Sequence, residues 1–179
     1  MERRSRGMCG FTLMELLVTA AVLAILMTIG VPSLARLVER AREANALHLL
    51  TTSLVSARMA AVHYRTPVTM CPSSDAERCR PDPAWEDGWI IYADPDRDAQ
   101  PKSPRHVLQR LDGAGPGMIL RGTRGRTRIR FTPDGWAHGG NLTIRLCGTS
   151  GAPVRGKVVV NTAGRPRSER DASGETCPE

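Results

Sequence analysis

The chain has 179 residues and a mass of 19.5 kDa, a length that favours one domain over two. Lys and Arg number 25 against 18 Asp and Glu, for a net charge of +7, and 24% charged with 41% hydrophobic residues excludes a disordered chain. Aromatic residues make up only 4%, which leaves no room for a large cofactor-binding core, and the absence of any period excludes collagen, coiled-coil arrays and solenoids.

The first ten residues carry Arg3, Arg4 and Arg6 against Glu2. Phe11–Val31 then runs for 21 residues with one ionisable side chain, Glu15. At about 1.5 Å per residue such a helix spans a bilayer core of about 30 Å. The basic flank predicts that the N-terminal side stays cytoplasmic. A secretory signal has a shorter apolar run with the cleavage site behind it. Here the candidate processing site, Gly10 before Phe11, precedes the run, so the segment is expected to be kept. Glu15 is the anomaly, because a carboxylate within an apolar span costs about 2.5–3.5 kcal/mol on insertion scales and is usually paired or functional. It either reaches the headgroups or meets a cation, and a cut after Gly10 would create one at the amine of Phe11.

Gly10-Phe11-Thr12-Leu13-Met14-Glu15-Leu16 resembles the class III signal of type IV pilins and pseudopilins. The resemblance implies that a membrane prepilin peptidase cuts after Gly10 and N-methylates Phe11. It also implies that Glu15 sets the subunit's register by pairing with a neighbour's N-terminus. Pro32 matches the helix-kinking proline common in such stems, and Met14 replaces the commoner Ile.

Behind the apolar run, Leu47, Leu50, Leu54, Ala57 and Ala61 recur at three-four spacing, the mark of a helix with one apolar stripe. Pro67 ends the pattern. A continuous helix from Phe11 to His63 would be about 80 Å long, with a kink at Pro32. Short β-prone runs follow at Val68–Cys71, Trp89–Ala93, His106–Leu111, Met118–Leu120, Arg126–Phe131, Leu142–Cys147 and Lys157–Asn161, punctuated by Gly, Pro, Asn and Asp. Strands after one long helix predict an α+β fold, an antiparallel β-sheet domain packed on the helix, and the pilin fold has this order of elements. The expected division is a leader at 1–10, a transmembrane part at 11–31, a periplasmic helix at 32–65 and a β-rich domain with a C-terminal tail at 66–179. Trp85, Trp89 and Trp136 are expected to fill the helix–sheet interface or line its rim, in preference to forming a base-stacking platform.

Five Cys become four if Cys9 leaves with the leader. An even set in an exported domain predicts disulfides, since the periplasm is oxidising. Four Cys allow three pairings. The favoured one joins Cys71 to Cys79 in a short local loop and Cys147 to Cys177, which would staple the tail to a strand. Zinc needs tighter Cys/His spacing. The segment from Val68 through Cys71-Pro72-Ser73-Ser74-Asp75, Cys79, Trp85, Gly88-Trp89 and Asp94 resembles the GspH/FimT branch of minor pilins.

Charge is unevenly placed. Cys71–Gln100 holds eight acids against three bases, and Arg105–Arg170 holds thirteen bases against three acids. A clustered positive surface is the footprint of polyanion binding. On a strand over Arg126–Phe131, Arg126, Arg128 and Arg130 would share one face, which could equally be a solvated face. In Gly164-Arg165-Pro166-Arg167, Gly164 permits close backbone approach and Pro166 stiffens the spacing of two guanidiniums that suit phosphate oxygens. FimT-like minor pilins carry a GRxR motif used to bind DNA in natural transformation, and Gly164, Arg165 and Arg167 match it. Arg155, Lys157 and Arg170 are candidate helpers by charge. Asp94-Pro95-Asp96-Arg97-Asp98 has the alternating acids of a calcium loop but lacks its Gly and distal Glu. The four His are isolated, with no nucleophile–base–acid arrangement, and neither catalysis nor a cofactor is expected. The resemblance therefore implies an inner-membrane minor pilin with a periplasmic domain, assembled with other major and minor pilins into an extracellular pilus that takes up DNA. The alternative is a GspH-like structural pseudopilin of a type II secretion system.

Overall fold

A computed structural model of the chain describes residues 12–148, 152–170 and 174–178. The expected processing pair, Gly10 and Phe11, lies outside the described residues. Helix α1, Leu13–Tyr64, opens under Thr12, whose hydroxyl accepts the Glu15 N–H at 3.2 Å. The Glu15 carboxylate sits in the first turn, where the helix dipole favours negative charge. The helix continues across Pro32. Contacts divide the chain into two units, one ending at Ala41 and one running from Arg42. In the first unit the helix exposes Leu16, Leu17, Leu23, Ile25, Leu26 and Ile29, and it is long and apolar enough to cross a membrane.

The second unit takes in the last part of α1 together with every strand, so helical residues 42–64 belong with the β-rich part rather than with the stem. Its strands are β1 (Val68–Pro72), β2 (Gly88–Ala93), β3 (Val107–Asp112), β4 (Ile119–Gly122), β5 (Ile129–Phe131), β6 (Leu142–Cys147), β7 (Val154–Val160) and β8 (Pro166–Arg170). They form two four-stranded sheets, ordered β3-β2-β1-β5 and β4-β6-β7-β8, with all neighbours antiparallel. The sequence pattern predicts one sheet, and the two found here share one partner. The expected helical stripe, Leu47, Leu50, Leu54, Ala57 and Ala61, is buried against Val68, Met70, Trp89, Ile129 and Phe131 of the first sheet and Leu120, Leu142, Ile144, Leu146, Val158 and Val160 of the second. Trp85 is also in this core, as expected, whereas Trp136 is exposed at the rim.

The first sheet is buried on both faces along β1 and β2. Its outer face is covered by a second cluster of Cys71, Cys79, Ile90, Tyr92 and Val107, closed by the Cys71–Cys79 disulfide. Burial there pushes the Tyr92 phenol up to about 12. The Asp94 carboxylate is buried as well and is satisfied internally, accepting from the Thr69 hydroxyl at 2.7 Å, from Arg130 Nε at 2.7 Å and from the Asp98 N–H at 2.6 Å. Asp96 pairs with Lys102 at 2.6 Å. The alternating acids of this turn thus hold protein donors.

The basic run in front of β5 also departs from expectation. Only Ile129–Phe131 is strand, because Gly125, at φ 76°, turns the chain and the Arg126 N–H closes that turn on Thr123 O at 3.0 Å. Arg126, Arg128 and Arg130 therefore share no strand face. Arg130 is bound to Asp94, and Arg126 donates to Gly139 O in the β5–β6 loop.

Because both sheets rest on the same stripe, Leu54→Ala opens a cavity between them. It should lower unfolding free energy by about 2–5 kcal/mol, measured by denaturant unfolding followed through tryptophan fluorescence, whereas Met59→Ala, at an exposed helix position, should change it by less than about 0.5 kcal/mol.

Candidate functional site

The Gly164–Arg167 segment is a turn running into an edge strand. Asn161 builds the turn: its carbonyl accepts the Gly164 N–H at 2.9 Å, and its side-chain oxygen accepts the Arg165 N–H at 3.1 Å. Gly164 sits at φ 67°, and a Cβ there would lie 2.2 Å from Gly135 O, so position and conformation both require glycine. Pro166 then begins β8, where a missing N–H is tolerated at the first residue of an edge strand. The strand was not expected, because Pro166-Arg167-Ser168-Glu169-Arg170 has no apolar alternation of its own. Its pairing partner β7 supplies the order.

Register decides which bases come together. In β7, Val154, Gly156, Val158 and Val160 face the core, leaving Lys157 and Val159 on the outer face. Val159 lies opposite Arg167 and Lys157 opposite Glu169, so Arg167 shares the outer face with Lys157. Arg165 and Arg167 are both exposed. Among the described residues no carboxylate pairs with Arg165. Arg167 Nε meets Glu169 Oε1 at 2.7 Å, with the Arg167 side chain 68% exposed.

The other two candidate helpers point elsewhere. Arg170 lies opposite Gly156, on the helix-facing side, and with Ser168 it lines a groove beside Leu47, His48 and Thr51 of α1. Residues 167 and 170 are an odd number apart and so leave the strand on opposite faces. Arg155 is ion-paired to Glu43 of α1.

Two further bases are brought to this face: Arg121, from the densest basic run of the sequence, and Arg145, which the sequence did not single out. Arg121 lies opposite Arg145 and Arg145 opposite Lys157, which makes a transverse row across β4, β6 and β7 that ends at Glu169. The alternation of Leu142, Ile144 and Leu146 already turns Arg145 outward, but the register that aligns the row is not in any single strand. Like charges directly opposite repel, and carboxylates from outside the row offset them. Glu86 pairs with Arg121, and Glu175 with Arg145 at 2.9 Å. Arg121 and Glu86 are only 23% and 22% exposed, and Glu86 also accepts the Leu120 N–H at 3.3 Å, so this pair is held in place. The open Arg167–Glu169 pair is worth about 0–1 kcal/mol and is screened by salt.

The Cys147–Cys177 disulfide holds residues 174–178 against the opposite end of β7, where the Val154 N–H donates to Glu175 O at 2.8 Å. The turn at Gly164 is secured by other contacts, Asn161 and the β5–β6 loop.

The family described as Type II transport protein GspH matches residues 46–164, and the prokaryotic N-terminal methylation motif matches residues 5–31. The chain belongs to the GspH family. It is a type IV minor pilin or pseudopilin of the GspH/FimT kind. Two crystal forms of the type IV minor pilin FimU of Pseudomonas aeruginosa are similar in fold. One has 19% identity and a TM-score of 0.56 over 78% of this chain and 95% of that one. The other has 20% identity and a TM-score of 0.52 over 74% and 95%. No match is found among curated proteins.

Membership of this pilin family implies association with other pilins and, through the methylation motif, with prepilin peptidase. The apolar helix and the motif fit an inner-membrane anchor for a subunit built into a pilus. The GspH match stops at Gly164, so Arg165 and Arg167 lie beyond it. Their claim to a function rests on the GRxR resemblance and on geometry.

Gly164→Ala should cost about 1–3 kcal/mol of stability, measured by denaturant unfolding. Hydrogen exchange should show the loss concentrated in the Asn161–Arg165 turn, with β1–β2 protection unchanged.

Proposed function

We propose that this GspH-family pilin binds extracellular DNA through its phosphate backbone and serves DNA uptake in natural transformation. The observation that carries the proposal is the exposed pair Arg165 and Arg167, one without a carboxylate among the described residues and one on the outer sheet face beside Lys157. Guanidinium forks suit phosphate oxygens and carry no base information, so binding is sequence-independent and salt-sensitive. Arg121 and Arg145 extend the same face across the sheet. The chain is cut after Gly10, methylated at Phe11 and held in the inner membrane by the apolar part of α1. Glu15 pairs with a neighbour's N-terminus as the subunit enters the filament. Several copies in one pilus turn micromolar contacts into stable capture.

A second reading has one observation in its favour. Glu86, Glu169 and Glu175 already sit among the bases of the outer face, an arrangement that also suits contact with a mixed-charge protein surface. On that reading the chain is a structural pseudopilin of a type II secretion system.

Fluorescence anisotropy with the full chain in neutral detergent separates the two. Wild type should bind labelled duplex DNA with an affinity that falls as salt rises. Arg165→Gln/Arg167→Gln should weaken binding and flatten the log–log salt slope by about 1.8, or about 0.9 per lost phosphate contact. Arg170→Gln, on the opposite face, should leave the slope unchanged. Equal binding by wild type and the double variant removes the Gly164–Arg167 segment as the site, and no binding by either leaves the structural pseudopilin.

A further inference from the structure

The β5–β6 loop, residues 132–141, is welded to the Gly164 turn. Gly135 O lies against Gly164, and the Ala137 N–H donates to Thr162 O at 2.9 Å. The Thr162 hydroxyl bonds Asn141 Oδ1 at 3.0 Å. The loop is also closed on itself. Thr132 N–H donates to Trp136 O at 2.8 Å, and Gly135 N–H to Thr132 O at 2.8 Å. The Asp134 carboxylate accepts from the Thr132 hydroxyl and from the Trp136 N–H at 3.2 Å, and these bonds, the hydroxyl's first, hold its carboxyl below the usual carboxylate range.

This framework sends alternate side chains to opposite sides. Gly135 and Ala137 are buried, and Trp136 and His138 are exposed. The two exposed rings stack on each other, 5.8 Å between centroids and 9° between planes. Trp85 and Trp89 are fully buried, while Trp136 is 46% exposed. It is thus an indole held at the surface by a rigid loop rather than folded into the core. Two bases stand on segments that touch its loop: Arg165 follows the Gly164 turn that meets Gly135, and Arg126 donates to Gly139 O at the other end, while the Asp134 carboxylate lies 3.4 Å from His138 Nε2. Exposed Arg124 stands in the same basic segment as Arg126.

An aromatic plane beside guanidiniums is the arrangement that holds single-stranded nucleic acid, since a base stacks on the ring while the cations take the adjoining phosphates. Bases inside a duplex are stacked on one another and present only their edges. We propose that Trp136, backed by His138, is a stacking platform for an unpaired nucleobase, and that the site therefore takes single-stranded DNA in preference to duplex. The platform rests on the DNA-binding reading above and names the form of DNA that the site receives. For Trp136 it takes up the base-stacking role that the sequence ranked below packing.

Three labelled probes test the platform with the full chain in neutral detergent: an oligothymidylate, an abasic strand of equal length, and a duplex of that length. Wild type should bind oligothymidylate more tightly than the abasic strand. Trp136→Ala should weaken oligothymidylate binding by between about fivefold and about a hundredfold, to the abasic level, and leave duplex binding unchanged. Trp136→Phe, which keeps a ring, should retain most of the affinity. Unchanged oligothymidylate binding by Trp136→Ala overturns the platform, and so does an equal loss on all three probes, which reports a disturbed loop. If wild type binds all three alike and Arg165→Gln/Arg167→Gln loses all three, the platform falls and the phosphate reading stands. If wild type binds none of them, both fall together.

Discussion

One apolar stripe on the second half of α1 organises the whole β-rich unit. Leu47, Leu50, Leu54, Ala57 and Ala61 present a single ridge, and the inner faces of both four-stranded sheets close on it. Leu50, Leu54, Ala57 and Ala61 are all fully buried in this ridge. Neither sheet has another apolar partner of comparable extent, so the burial that stabilises one depends on the same side chains as the burial that stabilises the other. The consequence for the surface is direct. With the inner faces committed to the helix, the outer face of β4-β6-β7-β8 is left to solvent, and polar and charged residues alternate onto it.

That outer face is basic but not naked. Each of Arg121, Arg145 and Arg167 meets a carboxylate, from Glu86, Glu175 and Glu169. These pairs relieve the repulsion of like charges across the strands, and of the three arginines only Arg167 is largely open to solvent, where ion pairs are weak. Arg165 begins without such a partner among the described residues, and its backbone is pinned by Asn161 rather than by a charge. The disulfides act elsewhere, one sealing the outer cluster of the first sheet and one holding residues 174–178 beside the start of β7. Rigidity at the Gly164 turn comes instead from the meeting of two backbones, at Gly135 and Gly164, where neither can carry a side chain without strain or collision.

Several elements are legible in the sequence. The Gly10–Leu16 motif, the apolar run, the helical stripe and seven of the strand positions follow from short-range chemistry: fixed spacing, three-four periodicity and turn residues between β-prone runs. The Gly164-Arg165-Pro166-Arg167 segment was visible as a motif, since two guanidiniums around a proline stand out in any tail. Strand β8 was not visible, because its order comes from hydrogen bonds to β7 rather than from its own composition. The run Arg126–Arg130 misled for the complementary reason: five residues of strand-like alternation were cut short by the turn at Gly125, and Arg130 was drawn to the buried charge of Asp94.

By itself the sequence determined the family, the membrane-length helix, the cysteine set and the identity of the basic tail, because each is written in residues that are near neighbours in the chain. Only the tertiary structure decided that there are two sheets and which arginines share a face. It alone set Arg170 and Arg155 apart from Arg167, aligned Arg121 and Arg145 with Lys157, and locked the Trp136 loop against the Gly164 turn. Those outcomes depend on register and on the close approach of segments about thirty residues apart. A one-residue shift in pairing would send every one of these side chains to the other face, and no local pattern of residues records that choice.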